Sequence, residues 1–257
     1  MLIDYYAYHS GMKNWNAGIK MLLSVLTLCM VISLNSIAVS VFVIAAMGGL
    51  TLFVGKIPVK VYLHFLTVPL FFMVVSGMAI AVQFAAAPIG DWNISVHWFY
   101  LCFTRSSIRA AVQLFGKATA GMSALYMLTF STPVHEMIPV LKKLHVPGLL
   151  IELMHLIYRY IFILFEVAEE MQTAAKARLG YRNFACSCKS FSGIAGNLFL
   201  ISMKKANAYY DALVSRGYEG SLEFLTEKND VRAWQIAVGA AYFAVLIGIA
   251  LAGRLLG

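Results

Sequence analysis

A chain of 257 residues with 61% hydrophobic residues, 12% charged residues and mean hydropathy +0.77 has too few charges to cover a water-facing surface; soluble domains carry about 25%. The composition excludes an ordinary soluble protein and points to an integral membrane protein. The net charge of +8 is clustered along the chain, which fits membrane-orientation signals and argues against nucleic-acid binding. Residues 1–18 form a leading segment with Tyr5, Tyr6, Tyr8 and Trp15, suited to a membrane interface. No small-residue cleavage site follows a short apolar core there, so no removable signal peptide is expected. Residues 19–34 predict a first span, Asn35-Ser36 a tight turn, and residues 37–54 a second span. Gly55-Lys56-Ile57-Pro58 and Lys60 return the chain to the cytoplasm. A third span is expected over 61–84, kinked at Pro69, with Gly77, Ala81 and Ala85 at four-residue intervals. Residues 88–105 read as external or interfacial, with Trp92, Trp98 and Tyr100 as anchors; Asp91 lies in a stretch without basic residues. The fourth span, 107–130, repeats the small-residue row at Gly116, Ala120 and Ala124. Both rows are expected to let another helix approach closely.

After Phe130, Pro133, Pro139 and Pro147 punctuate a short interfacial helix at 134–144. A long helix is predicted over 147–179, apolar at Leu150, Met154, Ile157, Ile161, Leu164, Ala168, Met171 and Ala175, in steps of three or four. Glu152, His155 and Arg159 favour a place at or below the membrane surface over a crossing. A loop at 181–189 carries Cys186 and Cys188. A second amphipathic helix follows at 190–215, with Phe191, Leu198, Phe199, Met203, Ala206, Tyr210 and Leu213 along its apolar row. A charged tail, 219–232, precedes a last span at 233–252. Lys142, Lys143, Lys176, Arg178, Arg182, Lys189, Lys204, Lys205, Arg216, Lys228 and Arg232 assign this region to the cytoplasm. The expected fold is an all-α, polytopic membrane bundle of about five spans with a cytoplasmic pair of long amphipathic helices. The expected parts are a transmembrane bundle at 1–132, a cytoplasmic helix domain at 133–230 and a final transmembrane helix at 231–257. With the amino terminus inside, the carboxyl terminus falls outside.

The sequence contains no G-x-x-x-x-G-K-[ST] phosphate loop, no H-E-x-x-H, no G-x-S-x-G and no Cys-x-x-Cys. No catalytic residue is assigned. His135, His145 and His155 recur every ten residues across prolines and are read as polar-face histidines; no metal site is assigned. Cys186 and Cys188 are read as two unpaired loop thiols on the reducing side. The spans are poor in ionisable groups. Lys20 stands at an entrance, His64 near another, and Gln113 and Lys117 lie in the fourth span, while the first three spans and the last have no Asp or Glu. That pattern speaks against a self-sufficient ion-coupled carrier.

Two phrases remain. The first long helix ends Ala177-Arg178-Leu179-Gly180-Tyr181, and the second Ser215-Arg216-Gly217-Tyr218. A glycine just past a helix supplies a left-handed residue at no steric cost. An arginine in the last turn complements the helix dipole. Two such endings on successive amphipathic helices are read as docking points, because guanidinium pairs bidentately with carboxylates in a partner groove. A membrane enzyme acting on an anionic lipid-type substrate is the competing reading, and it lacks catalytic spacing.

These marks carry a resemblance. Ile3-Asp4-Tyr5-Tyr6-Ala7-Tyr8, Ala177-Arg178-Leu179-Gly180-Tyr181-Arg182, Gly196-Asn197-Leu198-Phe199-Leu200 and Ser215-Arg216-Gly217-Tyr218-Glu219-Gly220 are similar to the transmembrane T component of energy-coupling-factor transporters, in the cobalt/nickel uptake branch. The resemblance covers essentially the whole chain. It implies a non-catalytic coupling subunit in a bacterial or archaeal inner membrane. Two ABC-type ATPase subunits would bind ATP, a separate substrate-binding membrane subunit would take a cobalt or nickel ion, and this chain would hold no cofactor. A vitamin cargo is the alternative within the same family. ATPase docking would fall to Ala177, Arg178 and Gly180 and to Ser215, Arg216 and Gly217. The first phrase departs from the family's Ala-Arg-Gly pattern, because Leu179 separates Arg178 from Gly180.

Overall fold

A computed structural model describes residues 2–34, 36–81, 83–85, 92–96, 99–103, 105–219 and 231–255. The expected anchor Trp98, Pro88 and Asp91 lie outside the described residues, as does most of the charged tail. The described chain runs through helices α1 (Leu2–Tyr8), α2 (Ala17–Ser33), α3 (Ile37–Gly49) and α4 (Val59–Ala81), strands β1 (Gln83–Ala85), β2 (Trp92–Val96) and β3 (Phe99–Phe103), then α5 (Arg105–Ser131), α6 (Val134–Lys143), α7 (Gly148–Ala177), α8 (Phe184–Ser215) and α9 (Ala233–Leu255). Packing divides it into two units, Met1–Pro133 with Lys228–Gly257, and Val134–Glu227.

In the first unit α5 is the element the others pack on: α1, α2, α3 and α4 all contact it. Small residues make this possible. A side chain at Gly116 would meet Ser40 Cβ of α3 at 3.4 Å. Ala120 and Ala124 are fully buried, and the Ser24 hydroxyl of α2 donates to the Ala124 carbonyl at 2.9 Å. Such close approach is the means by which helices associate where no hydrophobic force separates protein from lipid. Around this row Val31, Val39, Val43, Met47, Met127 and Leu246 form the apolar core. On the α4 side, Tyr62 donates to Ser123 Oγ at 3.2 Å and Tyr126 to the Phe65 carbonyl at 3.0 Å. Each aromatic hydroxyl thus finds the partner that burial in an apolar medium demands.

The other small-residue row is not a helix seam. Helix α4 ends at Ala81 and Ala85 lies on β1, so the three positions do not share one helical face. A side chain added at Gly77 would meet nothing within 4 Å. The region read as an external connection contains an antiparallel sheet in the order β1-β3-β2, with Gln83 opposite Cys102 and Trp92 opposite Phe103. Beyond α3, residues Leu50–Val54 form a π-helical turn, closed by the Gly55 amide on the Leu50 carbonyl at 2.9 Å.

Among the described residues, five helical segments are long and apolar enough to cross a membrane: Ile37–Val54, Val59–Ile80, Gly148–Ala177, Phe184–Ser215 and Ala233–Ala252. Three of them fall on spans expected from the sequence, at 37–54, 61–84 and 233–252, while the spans expected at 19–34 and 107–130 are not among them and the two long amphipathic helices are. Helix α2 has 17 residues and is short for a crossing. Helix α5 is too polar to qualify, with Arg105, Arg109, Gln113 and Lys117 spaced at four residues. It nevertheless packs against four other helices of the first unit, and Lys117 Nζ donates to the Ile32 carbonyl of α2 at 3.1 Å. Helices α7 and α8 qualify by composition. They belong to the other unit, and between them only Ile151 is buried.

Candidate docking site

In the second unit α6 packs on α7, and α7 on α8. The α7–α8 contact is aromatic and cationic. Tyr160 and Tyr209 meet edge to face at 5.6 Å, the Arg159 guanidinium lies 5.7 Å from the centre of the Tyr209 ring, and Tyr160 donates to the Lys205 carbonyl at 3.5 Å. Near the connection, Ser190 Oγ donates to the Gly180 carbonyl at 2.8 Å. Residues 160 and 205 precede and follow that connection by comparable lengths, so α7 and α8 run antiparallel.

Helix α8 begins at Phe184, earlier than its apolar row indicates, because Asn183 is its N-cap and the Ser187 amide already bonds the Asn183 carbonyl at 2.8 Å. Cys186 and Cys188 are therefore helical residues, not loop residues. Both are free and exposed. Two positions apart on a helix they do not face each other.

The two arginine phrases close their helices with the same bonds. At the end of α7 the Leu179 amide bonds the Lys176 carbonyl at 3.1 Å and the Gly180 amide bonds the Ala175 carbonyl at 2.9 Å. At the end of α8 the Gly217 amide bonds the Val214 carbonyl at 3.0 Å and the Tyr218 amide bonds the Leu213 carbonyl at 3.1 Å. Paired 5→2 and 6→1 bonds define a Schellman termination. Both arginines sit at the C-cap, with near-identical backbone: φ −92°, ψ 17° at Arg178 and φ −95°, ψ 8° at Arg216. Both are exposed, and among the described residues neither guanidinium has a hydrogen-bond or ion-pair partner.

This geometry corrects the expected role of Gly180. The left-handed residue of the first tip is Leu179, φ +56°, and its counterpart in the second is Gly217, φ +79°. Leu179 is thus the occupant of a position that glycine fills elsewhere, and it leaves the arginine register unchanged. Gly180 is required for another reason. A side chain there would collide with Ser190 Oγ and would approach the Ala175 carbonyl oxygen to 2.8 Å. The equivalent sets are Ala177, Arg178 and Leu179 against Ser215, Arg216 and Gly217.

A left-handed non-glycine residue costs about 1–2 kcal/mol. Leu179→Gly should therefore stabilise the first tip by about 1 kcal/mol, and Gly217→Ala should weaken the second by about as much. Gly180→Ala should weaken the first tip through its collision. Trypsin cleavage after Arg178 and Arg216 reports the local opening: slower at Arg178 in Leu179→Gly, faster there in Gly180→Ala, and faster at Arg216 in Gly217→Ala.

The tips are far apart. From Ser190, which holds the first, to Arg216 the helix rises about 39 Å at 1.5 Å per residue. Between them α7 and α8 leave apolar side chains exposed, among them Ile157, Ile161, Phe191, Phe199, Met203 and Tyr210. Among the described residues no group of three or more His, Cys, Asp or Glu side chains is placed to hold a metal ion.

The sequence model of the CbiQ family, described as cobalt transport protein, matches residues 9–226. The chain belongs to the CbiQ family. An uncharacterized protein of Methanocaldococcus jannaschii is 29% identical over 87% of this chain and 83% of its own length. A relative in Methanocorpusculum labreanum, named as a fused cobalt transport protein CbiMQ, is 28% identical over 99% of this chain, which spans 43% of that longer protein. The Salmonella typhimurium cobalt transport protein CbiQ is 26% identical over 67% of this chain and 77% of its own length. CbiQ membership and the apolar helices make the chain a multi-pass membrane component of a cobalt transporter.

Proposed function

We propose that this CbiQ-family chain is the coupling subunit of an ATP-driven importer of the energy-coupling-factor type. Arg178 and Arg216, with Ala177, Leu179, Gly180, Ser215 and Gly217 shaping their backbone, dock into two ABC-type ATPase subunits that bind the ATP. The bundle at 1–132 and the helix at 231–257 are the membrane part, and 133–230 is the cytoplasmic coupling part. A separate membrane subunit binds cobalt or nickel, and this chain holds no cofactor of its own. The reading is carried by one observation: two matching arginine-capped terminations, both exposed, with about 39 Å of α8 between Ser190, which holds the first, and Arg216. One groove cannot receive both, so the spacing calls for two sites. The exposed apolar face between the tips suits a membrane-embedded partner, and the name of the fused CbiMQ relative is consistent with such a neighbour.

ATP binding would close the ATPase pair, move the docked arginines and tilt α7 and α8. The test is purification from mild detergent with the neighbouring gene products, followed by reconstitution. Two copies of a phosphate-loop subunit should copurify, and cobalt or nickel uptake should require ATP. Uptake by the chain alone, without nucleotide, would contradict the proposal.

A further inference from the structure

The chain leaves the first unit after Pro133 and returns to it at Lys228. Inside that unit, the end of α5 and the start of α9 are both held by one short segment between Met12 and Lys20. Lys20 is 1% exposed and is among the largest fully buried side chains of the described residues. Its Nζ donates to the Ser131 carbonyl at 2.8 Å and to the Met12 carbonyl at 3.3 Å. Ser131 is the last residue of α5, two residues before the exit. The carbonyls at a helix end carry partial negative charge and lack intrahelical partners, so a cation there is favourably placed. The return is held from the same segment. The Asn16 amide donates to Gln235 Oε1 at 3.4 Å, Gln235 is fully buried, and Trp15 meets Trp234 edge to face at 4.8 Å. Gln235 and Trp234 lie in the first turn of α9.

A lysine at the start of a membrane helix ordinarily extends its ammonium towards water. Here it turns inward, where an ionisable group is expensive and by default functional. Packing alone does not require the charge, since an apolar chain of similar length would fill the same volume. What methionine cannot do is donate to two carbonyls at once.

We infer that Lys20 is a positioning residue for transport: it clamps the exit from α5 while its own segment clamps the start of α9. Movement delivered to the end of α5 or to the start of α9 then reaches both helices together. This rests on the coupling reading for its purpose, but the clamp can be tested without it.

The first arm is hydrogen exchange on the detergent-purified full chain. Lys20→Met should speed exchange about tenfold at Thr132 and also at residues 233–236, and Lys20→Arg should restore protection. Faster exchange at one connection only, or at neither, would overturn the clamp. The second arm reconstitutes the complex and measures cobalt delivered per ATP hydrolysed. Lys20→Met should lower that ratio about tenfold with the ATPase rate nearly unchanged, whereas Ser24→Ala, which removes another buried bond to α5, should leave the ratio intact. An unchanged ratio in Lys20→Met, or an equal loss in Ser24→Ala, would overturn the transmission role. If Lys20→Met does not assemble, Lys20→Arg decides: more than about half the wild-type ratio supports the inference, and less overturns it. Failure of the wild-type complex to couple ATP to uptake would sink the coupling reading, while the exchange arm would still judge the clamp.

Discussion

Replacing Arg178 and Arg216 together by alanine should abolish ATPase association and cobalt uptake, whereas either replacement alone should leave a weakened complex. Truncating one partner of a desolvated, hydrogen-bonded charge pair costs about 2–5 kcal/mol. A single tip therefore loses at least about 30-fold in affinity. The remaining tip still tethers the chain and keeps the effective local concentration of the second site high, so the loss is partial. With both gone no tether remains. Arg178→Lys and Arg216→Lys should fall between, since a point charge lacks the planar fork. Because both arginines occupy the same C-cap geometry, the single variants should be similar in effect. Copurification of the ATPase subunits checks the first step, and proteoliposome uptake the second.

The second large effect belongs to the bundle. Ala124→Leu should destabilise the chain by about 3 kcal/mol, the sum of overpacking and the lost Ser24 bond. Ala124 has no exposed surface, and its carbonyl accepts the Ser24 hydroxyl at 2.9 Å only because the backbones of α2 and α5 lie close. The apparent melting temperature in detergent should drop by roughly 10 °C. Gly77→Ala is the contrasting case. Nothing lies within 4 Å of the added carbon, and alanine is a better helix former by about 1 kcal/mol. Its melting temperature should be equal or higher.

Those two glycine-alanine rows mark how far the sequence could be read. Both have the same spacing, but only Gly116, Ala120 and Ala124 lie along a single helix against neighbours. The other row runs off α4 into β1, a change that four-residue counting does not detect. The short sheet had a local signal, since Phe99–Phe103 and Trp92–Val96 are rich in aromatic and β-branched residues. Interface anchoring accounts for the same residues equally well, so composition alone did not choose between them.

At the candidate docking site the arginines were visible as residues and their equivalence was not. Leu179 looked like an insertion between Arg178 and Gly180. Its left-handed backbone makes it the counterpart of Gly217 and reveals two matching caps. A leucine gives no sequence signal for φ +56°. Lys20 was legible only as a charge at a helix entrance. Its burial depends on a carbonyl 111 residues away, beyond the reach of any local pattern. The early start of α8 was hidden for the opposite reason: Ala185 to Lys189 has no apolar periodicity, yet contains nothing that breaks a helix.

The most direct test of two-point coupling is site-specific photocrosslinking in the assembled transporter, with the probe placed at 178 in one sample, at 216 in another and at both in a third. Each single probe should capture an ATPase subunit, and the double probe should yield one chain joined to two ATPase copies. Capture of a single ATPase copy by both positions, or of lipid alone, would contradict the account.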